Sequence, residues 1–174
     1  MGRSRSRFRV SVASAAVLAG AVSVAAIAGA SHARRSVAES SPLSVCQATV
    51  IVGVLPVWAR AGFSDPRPRM PYVLGKEGKI AAILWADPLQ SPPPKDHNNK
   101  ILWVSHVPSV PGSDLRISAQ RMTGSTPLGA PVTRRVMGSP GPSIINLPSA
   151  GCWRLTLRWS GRVDTLDLRY VASR

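Results

Sequence analysis

The chain has 174 residues, with 22 Lys and Arg against 8 Asp and Glu, a formal net charge of +14, and only three His and two Cys. Those few His, Cys and acids are scattered, and no spacing among them supports a metal centre of three or four ligands or a paired-carboxylate glycosidase site. Sixteen Pro and fourteen Gly, scattered without a period, exclude a chain built from long helices and favour short elements joined by turns.

Residues 1–9, MGRSRSRFR, form a positively charged n-region, and residues 10–30 carry no charge. Ala28-Gly29-Ala30 and Ser31-His32-Ala33 both offer the small residues of a signal-peptidase site. Residues 1–30 are therefore read as a signal peptide or a signal anchor. Only Val10, Val12, Val17, Leu18, Val22, Val24 and Ile27 are strongly apolar, about −3 kcal/mol of insertion energy in all, so a spanning helix would insert only marginally. Four Arg before the segment and two after it direct the rest of the chain outward in either case. No Arg-Arg pair in this n-region marks a twin-arginine route, and bulky Val45 stands where a lipoprotein box before Cys46 wants a small residue. The expected location is extracytoplasmic, secreted or held to the membrane by the N-terminal segment.

Residues 31–47, Ser-rich and polar, suit a flexible linker. The ~125 residues beyond it suffice for one domain with its own core. Cys46 and Cys152 are an even pair in an exported protein and are expected to form a disulfide.

From residue 48 to 172 the chain reads as strands. Ala48–Val54 is β-branched and stops before Pro56; Met70–Leu74 comes after a Pro/Arg turn. Val57–Phe63 could make a turn or two of helix. Lys79–Trp85 and Lys100–Ser105 are apolar runs bounded by Gly and Pro or Asn. Asp114–Arg121 alternates, and Val132–Met137 and Ser143–Leu147 are weaker strands. The clearest signal is C-terminal. Trp153, Leu155, Leu157 and Trp159 alternate with Arg154, Thr156 and Arg158, and Leu166, Leu168 and Tyr170 alternate with Thr165, Asp167 and Arg169. With Ser160-Gly161-Arg162 as the turn, this predicts an antiparallel hairpin, one face on a core and the other wet. Asp167 is placed to offset the arginines of that wet face. About seven to nine short strands predict an all-β sandwich or barrel.

An ordered set of segments, Leu55-Pro56-Val57-Trp58-Ala59, Gly75-Lys76-Glu77-Gly78-Lys79-Ile80, Asn99-Lys100-Ile101-Leu102-Trp103-Val104 and Leu147-Pro148-Ser149-Ala150-Gly151-Cys152-Trp153, resembles an uncharacterised family of exported bacterial domains, often actinobacterial. The resemblance spans roughly residues 54–171 and implies an immunoglobulin-like antiparallel β-sandwich. It brings no catalytic residues. Cys152 adjoins Trp153, which departs from the Cys…Trp…Cys spacing of antibody domains.

Candidate chemistry is sparse. Asp96-His97-Asn98-Asn99-Lys100, after three prolines, is the most polar cluster and a candidate ligand loop, or a connector shaped by its Asn and Asp. His97 and His106 are the only histidines of the domain, and no serine lies in a nucleophile-elbow motif. Gly75–Lys79 lacks the spacing and the C-terminal helix of a phosphate loop and reads as a hairpin turn. Trp85, Trp103, Trp153 and Trp159 sit at alternating strand positions and are expected in the core. With Arg3, Arg5, Arg7 and Arg9 set aside, 18 bases face 8 acids, an excess that favours anionic surfaces or, if dispersed, only solubility.

The sequence thus predicts a non-enzymatic extracytoplasmic module, without cofactor or metal, that binds a partner or supports the envelope. The alternative is a basic module on an anionic cell-wall polymer or membrane surface, using Arg116, Arg121, Arg134, Arg135, Arg154 and Arg158. An envelope protein is the other expected class of partner. Nucleic acid conflicts with export, and the membrane is expected to be met only through the N-terminal segment.

Overall fold

The computed structural model describes Cys46 and residues 49–173. The expected signal peptide or anchor over 1–30, and all of the linker except Cys46, lie outside the described residues. The rest is all-β, ten strands in two five-stranded sheets. Sheet I has the order β1 (Ile51–Val54), β2 (Arg69–Leu74), β3 (Ile80–Leu84), β5 (Lys100–Ser105), β8 (Pro142–Ile144). Sheet II has the order β4 (Leu89–Gln90), β10 (Arg162–Val171), β9 (Gly151–Trp159), β6 (Leu115–Thr123), β7 (Thr126–Val136). All pairings are antiparallel except the two-residue contact of β10 with β4.

The two sheets form a sandwich around one core. Val73, Ile80, Ala82, Leu84, Ile101 and Trp103 of sheet I meet Leu115, Ile117, Leu155, Leu157, Leu166 and Leu168 of sheet II. Three buried indoles find acceptors: Trp103 Nε1 donates to Ser143 Oγ at 2.9 Å, Trp153 Nε1 to Ser149 O at 2.9 Å, and Trp159 Nε1 to Ser105 Oγ at 3.0 Å. An indole N–H without an acceptor would carry an uncompensated desolvation cost, so these bonds let the rings occupy the core.

The C-terminal hairpin forms as its alternation predicts. Arg162 pairs with Trp159, leaving Ser160 and Gly161 as a two-residue loop, both at positive φ (45° and 70°), the I′ geometry that matches strand twist. The hairpin of β6 and β7 closes on Gly124-Ser125, with Thr123 opposite Thr126 and Gly124 at φ 60°. β7 is longer than its sequence suggests. A register shift opposite Gln120 absorbs its irregular Gly129–Pro131 stretch, and Gln120 Nε2 donates to Leu128 O and Gly129 O, both at 3.1 Å.

Trp85 departs from the expectation for the tryptophans, being 51% exposed. It pairs with Lys100 at the end of β3, where its N–H donates to Lys100 O at 3.0 Å. Lys100 Nζ lies 4.7 Å from the ring centroid and Phe63 stacks at 6.3 Å. Val57–Ala59 is a single 3-10 turn, shorter than the helical stretch that residues 57–63 suggest.

The outer faces of the two sheets differ. On sheet I the connection between β1 and β2 folds back as a cap: Leu55 and Ala59 are buried against Tyr72 and Ile83, with Trp58, Phe63, Leu102 and Val104 packed around them. Every residue of β3 is consequently buried, as in strands covered on both sides. Sheet II has no such cap among the described residues except near Cys46.

Cys46 is bonded to Cys152, 106 residues away. The disulfide fastens the end of the expected linker to the outer side of β9, beside buried Met122 in register with Cys152.

Candidate functional site

The outer face of sheet II is built in rows, because residues opposite one another on adjacent strands share a face. Its first row is Arg135, Arg116 and Arg158, directly opposed across β7, β6 and β9, with Val163 of β10 at its end. All three arginines are exposed. Adjacent strands lie about 4.8 Å apart, so three guanidinium stems stand on a line about 10 Å long. The second row is Thr133, Ser118, Thr156 and Thr165, short hydroxyl side chains that leave the arginines proud of the surface. The third is Gln120, Arg154 and Asp167.

Like charges directly opposed across strands destabilise a sheet, and the chain balances only part of this row. Asp114 forms an ion pair with Arg135, and its Oδ1 accepts the Gly138 N–H at 3.0 Å. The Gly138 N–H first and the Arg135 guanidinium next hold the Asp114 carboxyl below its ordinary value. Arg154 is likewise engaged, donating through Nε to Asp167 Oδ1 at 3.0 Å and through Nη2 to Oδ2 at 3.2 Å. That hydrogen-bonded carboxylate raises the Arg154 pKa further, and the predicted offset of wet-face charge by Asp167 takes the form of this fork. Among the described residues neither Arg116 nor Arg158 has an ion-pair partner or a side-chain hydrogen bond.

Four of the six candidate arginines therefore share a face: Arg116, Arg135, Arg154 and Arg158. The other two do not. Arg121 is in register with Trp153 on the core side, its guanidinium over Gly151. Arg134, in register with Ile117, closes an edge of the sandwich by donating through Nε and Nη2 to Asn146 O at 2.9 and 2.7 Å.

The face ends in a hollow of about 340 Å³ at the β9–β10 tip, lined among others by Ser113, Asp114, Arg116, Arg158, Ser160 and Arg162. The tip is tied to the chain entering β6: the Val110 N–H donates to Ser160 Oγ and the Ser160 N–H to Ser113 Oγ, both at 2.9 Å. Arg162 is exposed, at a turn position that strand alternation does not single out.

The candidate ligand loop resolves into mixed duties. Asn99 is fully buried and imitates a strand partner, accepting the Gln90 N–H at Oδ1 and donating to Gln90 O from Nδ2, both at 2.8 Å. Lys100 begins β5 and covers Trp85, while Asp96 and Asn98 are exposed. His97 Nε2 is buried without a hydrogen-bond partner among the described residues. His106 lies elsewhere, stacked on Trp58 at 4.6 Å.

The Gly75–Lys79 turn does hold an anion, and it belongs to the chain. Buried Asp164 accepts the Glu77 and Lys79 N–H groups at 3.0 Å each and its neighbour Thr165 N–H at 2.7 Å. The turn thereby joins sheet I to sheet II.

No protein-family model and no curated protein matches the chain. Among solved structures the chain is similar to a candidate lipoprotein from Bacillus anthracis, at 21% identity over 60% of this chain and 80% of that one, with a TM-score of 0.38.

Proposed function

We propose that this protein is an extracytoplasmic, non-enzymatic module of immunoglobulin-like sandwich form, akin to the exported family its segments resemble, that grips an anionic polymer of the cell envelope through the outer face of sheet II. The observation that carries the reading is the row Arg135, Arg116 and Arg158, exposed on one face and only partly neutralised by Asp114. A sheet gains nothing in stability from opposing like charges, whereas a polymer with regularly spaced negative groups would repay the arrangement. Arginine suits the task because its planar fork engages carboxylate or phosphate through two hydrogen bonds. The hydroxyl row beside it adds donors that need no charge. The Cys46–Cys152 bridge supports an oxidising location, as does the charged and then uncharged N-terminal segment.

Co-sedimentation of the full-length oxidised protein with isolated cell-wall sacculi tests the reading. Binding is expected to fall steeply between low and physiological salt, since exposed charges are screened beyond about 10 Å at 0.1 M. It is also expected to fall when anionic polymers are stripped from the wall. Salt-independent retention would point to an uncharged wall component and remove the basis for the proposal.

A further inference from the structure

We infer that the hollow at the β9–β10 tip is a phosphate-binding site, an inference that rests on the polymer reading above and names the group bound. Three arginines line it from two directions. Arg116 and Arg158 come from the opposed row and Arg162 from the first residue of β10. Among the described residues none of the three has an ion-pair partner or a side-chain hydrogen bond, in contrast with Arg134, Arg135 and Arg154. The one acid lining the hollow among those residues, Asp114, is turned to Arg135 and the Gly138 N–H. The hollow is thus cationic: Arg116 feels the Asp114 charge without pairing to it, and the guanidinium groups keep their hydrogen-bond donors for a ligand.

The frame that presents them is braced. Ser160 and Gly161 hold the two-residue turn, and the hydrogen bonds from Val110 to Ser160 and from Ser160 to Ser113 fix that turn against the start of β6. A braced backbone keeps the three stems at set spacings, which lowers the ordering cost of binding. Shape and charge select the ligand. A carboxylate offers two oxygens in one plane, whereas a tetrahedral phosphate holds its oxygens in several directions and can accept from guanidinium groups that approach from different sides. At about 340 Å³ and open to solvent, the hollow has room for a phosphate with the groups esterified on either side of it. The chemistry named is therefore a phosphate ester, carried either by a soluble or wall-bound phosphodiester polymer or by a lipid headgroup.

The test monitors the arginine Nε–Hε signals of the full-length oxidised protein during titration with inorganic phosphate and then polyphosphate, with ionic strength held constant by chloride. Saturating shifts confined to Arg116, Arg158 and Arg162 are expected. Arg162→Gln should weaken phosphate about tenfold, the scale of one lost charge-assisted hydrogen bond, and Arg67→Gln on the other sheet's side should leave it unchanged. Shifts that grow linearly and spread equally to Arg67 and Arg169 overturn the site. If polyphosphate still binds through Arg116 and Arg158 in that event, the polymer reading stands without the site; if polyphosphate does not bind at all, both fall. Two further arms identify the source. Site-dependent binding of poly(glycerol phosphate) but not of phosphatidylglycerol vesicles supports a polymer phosphate, and the reverse supports the same site occupied by a headgroup.

Discussion

The two sheets present opposite solutions to the same problem, a sheet with one face already committed to a core. Sheet I covers its second face with its own chain: Leu55, Ala59, Trp58 and Phe63 lie over Tyr72, Ile83, Leu102 and Val104. Among the described residues sheet II leaves its second face uncovered except near Cys46, and lines it with Arg, Thr and Ser in register. The apolar residues at outward positions of β3 made a cap favourable; the polar ones on β6 and β9 removed any gain from covering them. Two faces of similar backbone geometry thereby differ, one packed under the β1–β2 connection and the other polar and charged.

The largest expected effect concerns the corner of sheet II beside Cys46. Breaking Cys46–Cys152 by Cys152→Ser should lower stability by about 4.7 kcal/mol, from the loop entropy released across 106 residues. Urea midpoints of oxidised and variant protein measure it. Next comes the joint between the sheets. A Cβ at Gly75 would collide with the Asp164 carboxylate, so Gly75→Ala should dislodge a buried anion from its N–H donors and cost about 3 kcal/mol or more, read as a lowered thermal midpoint. The contrast of the faces themselves is sharpened by a matched pair of variants. Ile83→Ala, in the capped face, should cost about 2–4 kcal/mol, and Thr156→Ala, on the bare face, under about 0.5 kcal/mol. Equal losses from the two would break the comparison.

The smallest effect is one of pH. The folded Asp114 carboxyl titrates below its ordinary 3.8, so the fold favours the ionised form. Its contribution is complete at neutral pH and disappears as pH falls through the folded value, below 3.8. In Asp114→Asn that part of the acid sensitivity should be absent, and wild type and variant monitored by urea unfolding from pH 6 to pH 2.5 would show it.

Much of this architecture is legible in the sequence, for physical reasons. The hairpin of β9 and β10 obeys a strict two-residue period because one face is core and the other water, and Lys100–Ser105 coincides with β5. β4 escapes notice because two residues between Pro88 and Pro92 carry no period. The first half of β7 is hidden by Pro127, Gly129 and Pro131, residues tolerated because β7 is an edge strand; the Gly124-Ser125 turn could have revealed it. The cap on sheet I involves contacts distant in sequence that alternation cannot reveal. The candidate site is legible only in part. Alternation shows Arg116 and Arg158 pointing outward, but register alone makes them neighbours of each other and of Arg135, and places Arg121 and Arg134 on the other side.

The most direct test of the central claim compares the salt dependence of polyphosphate binding for wild type, Arg116→Gln/Arg158→Gln on the bare face, and Arg60→Gln/Arg69→Gln on the side of sheet I. Strong, salt-sensitive binding is expected for wild type and the sheet I variant, and for the sheet II variant a loss of at least tenfold with a shallower slope against salt. Equal losses from both double variants would show that total charge, rather than the arginine face of sheet II, governs binding, and would contradict that claim.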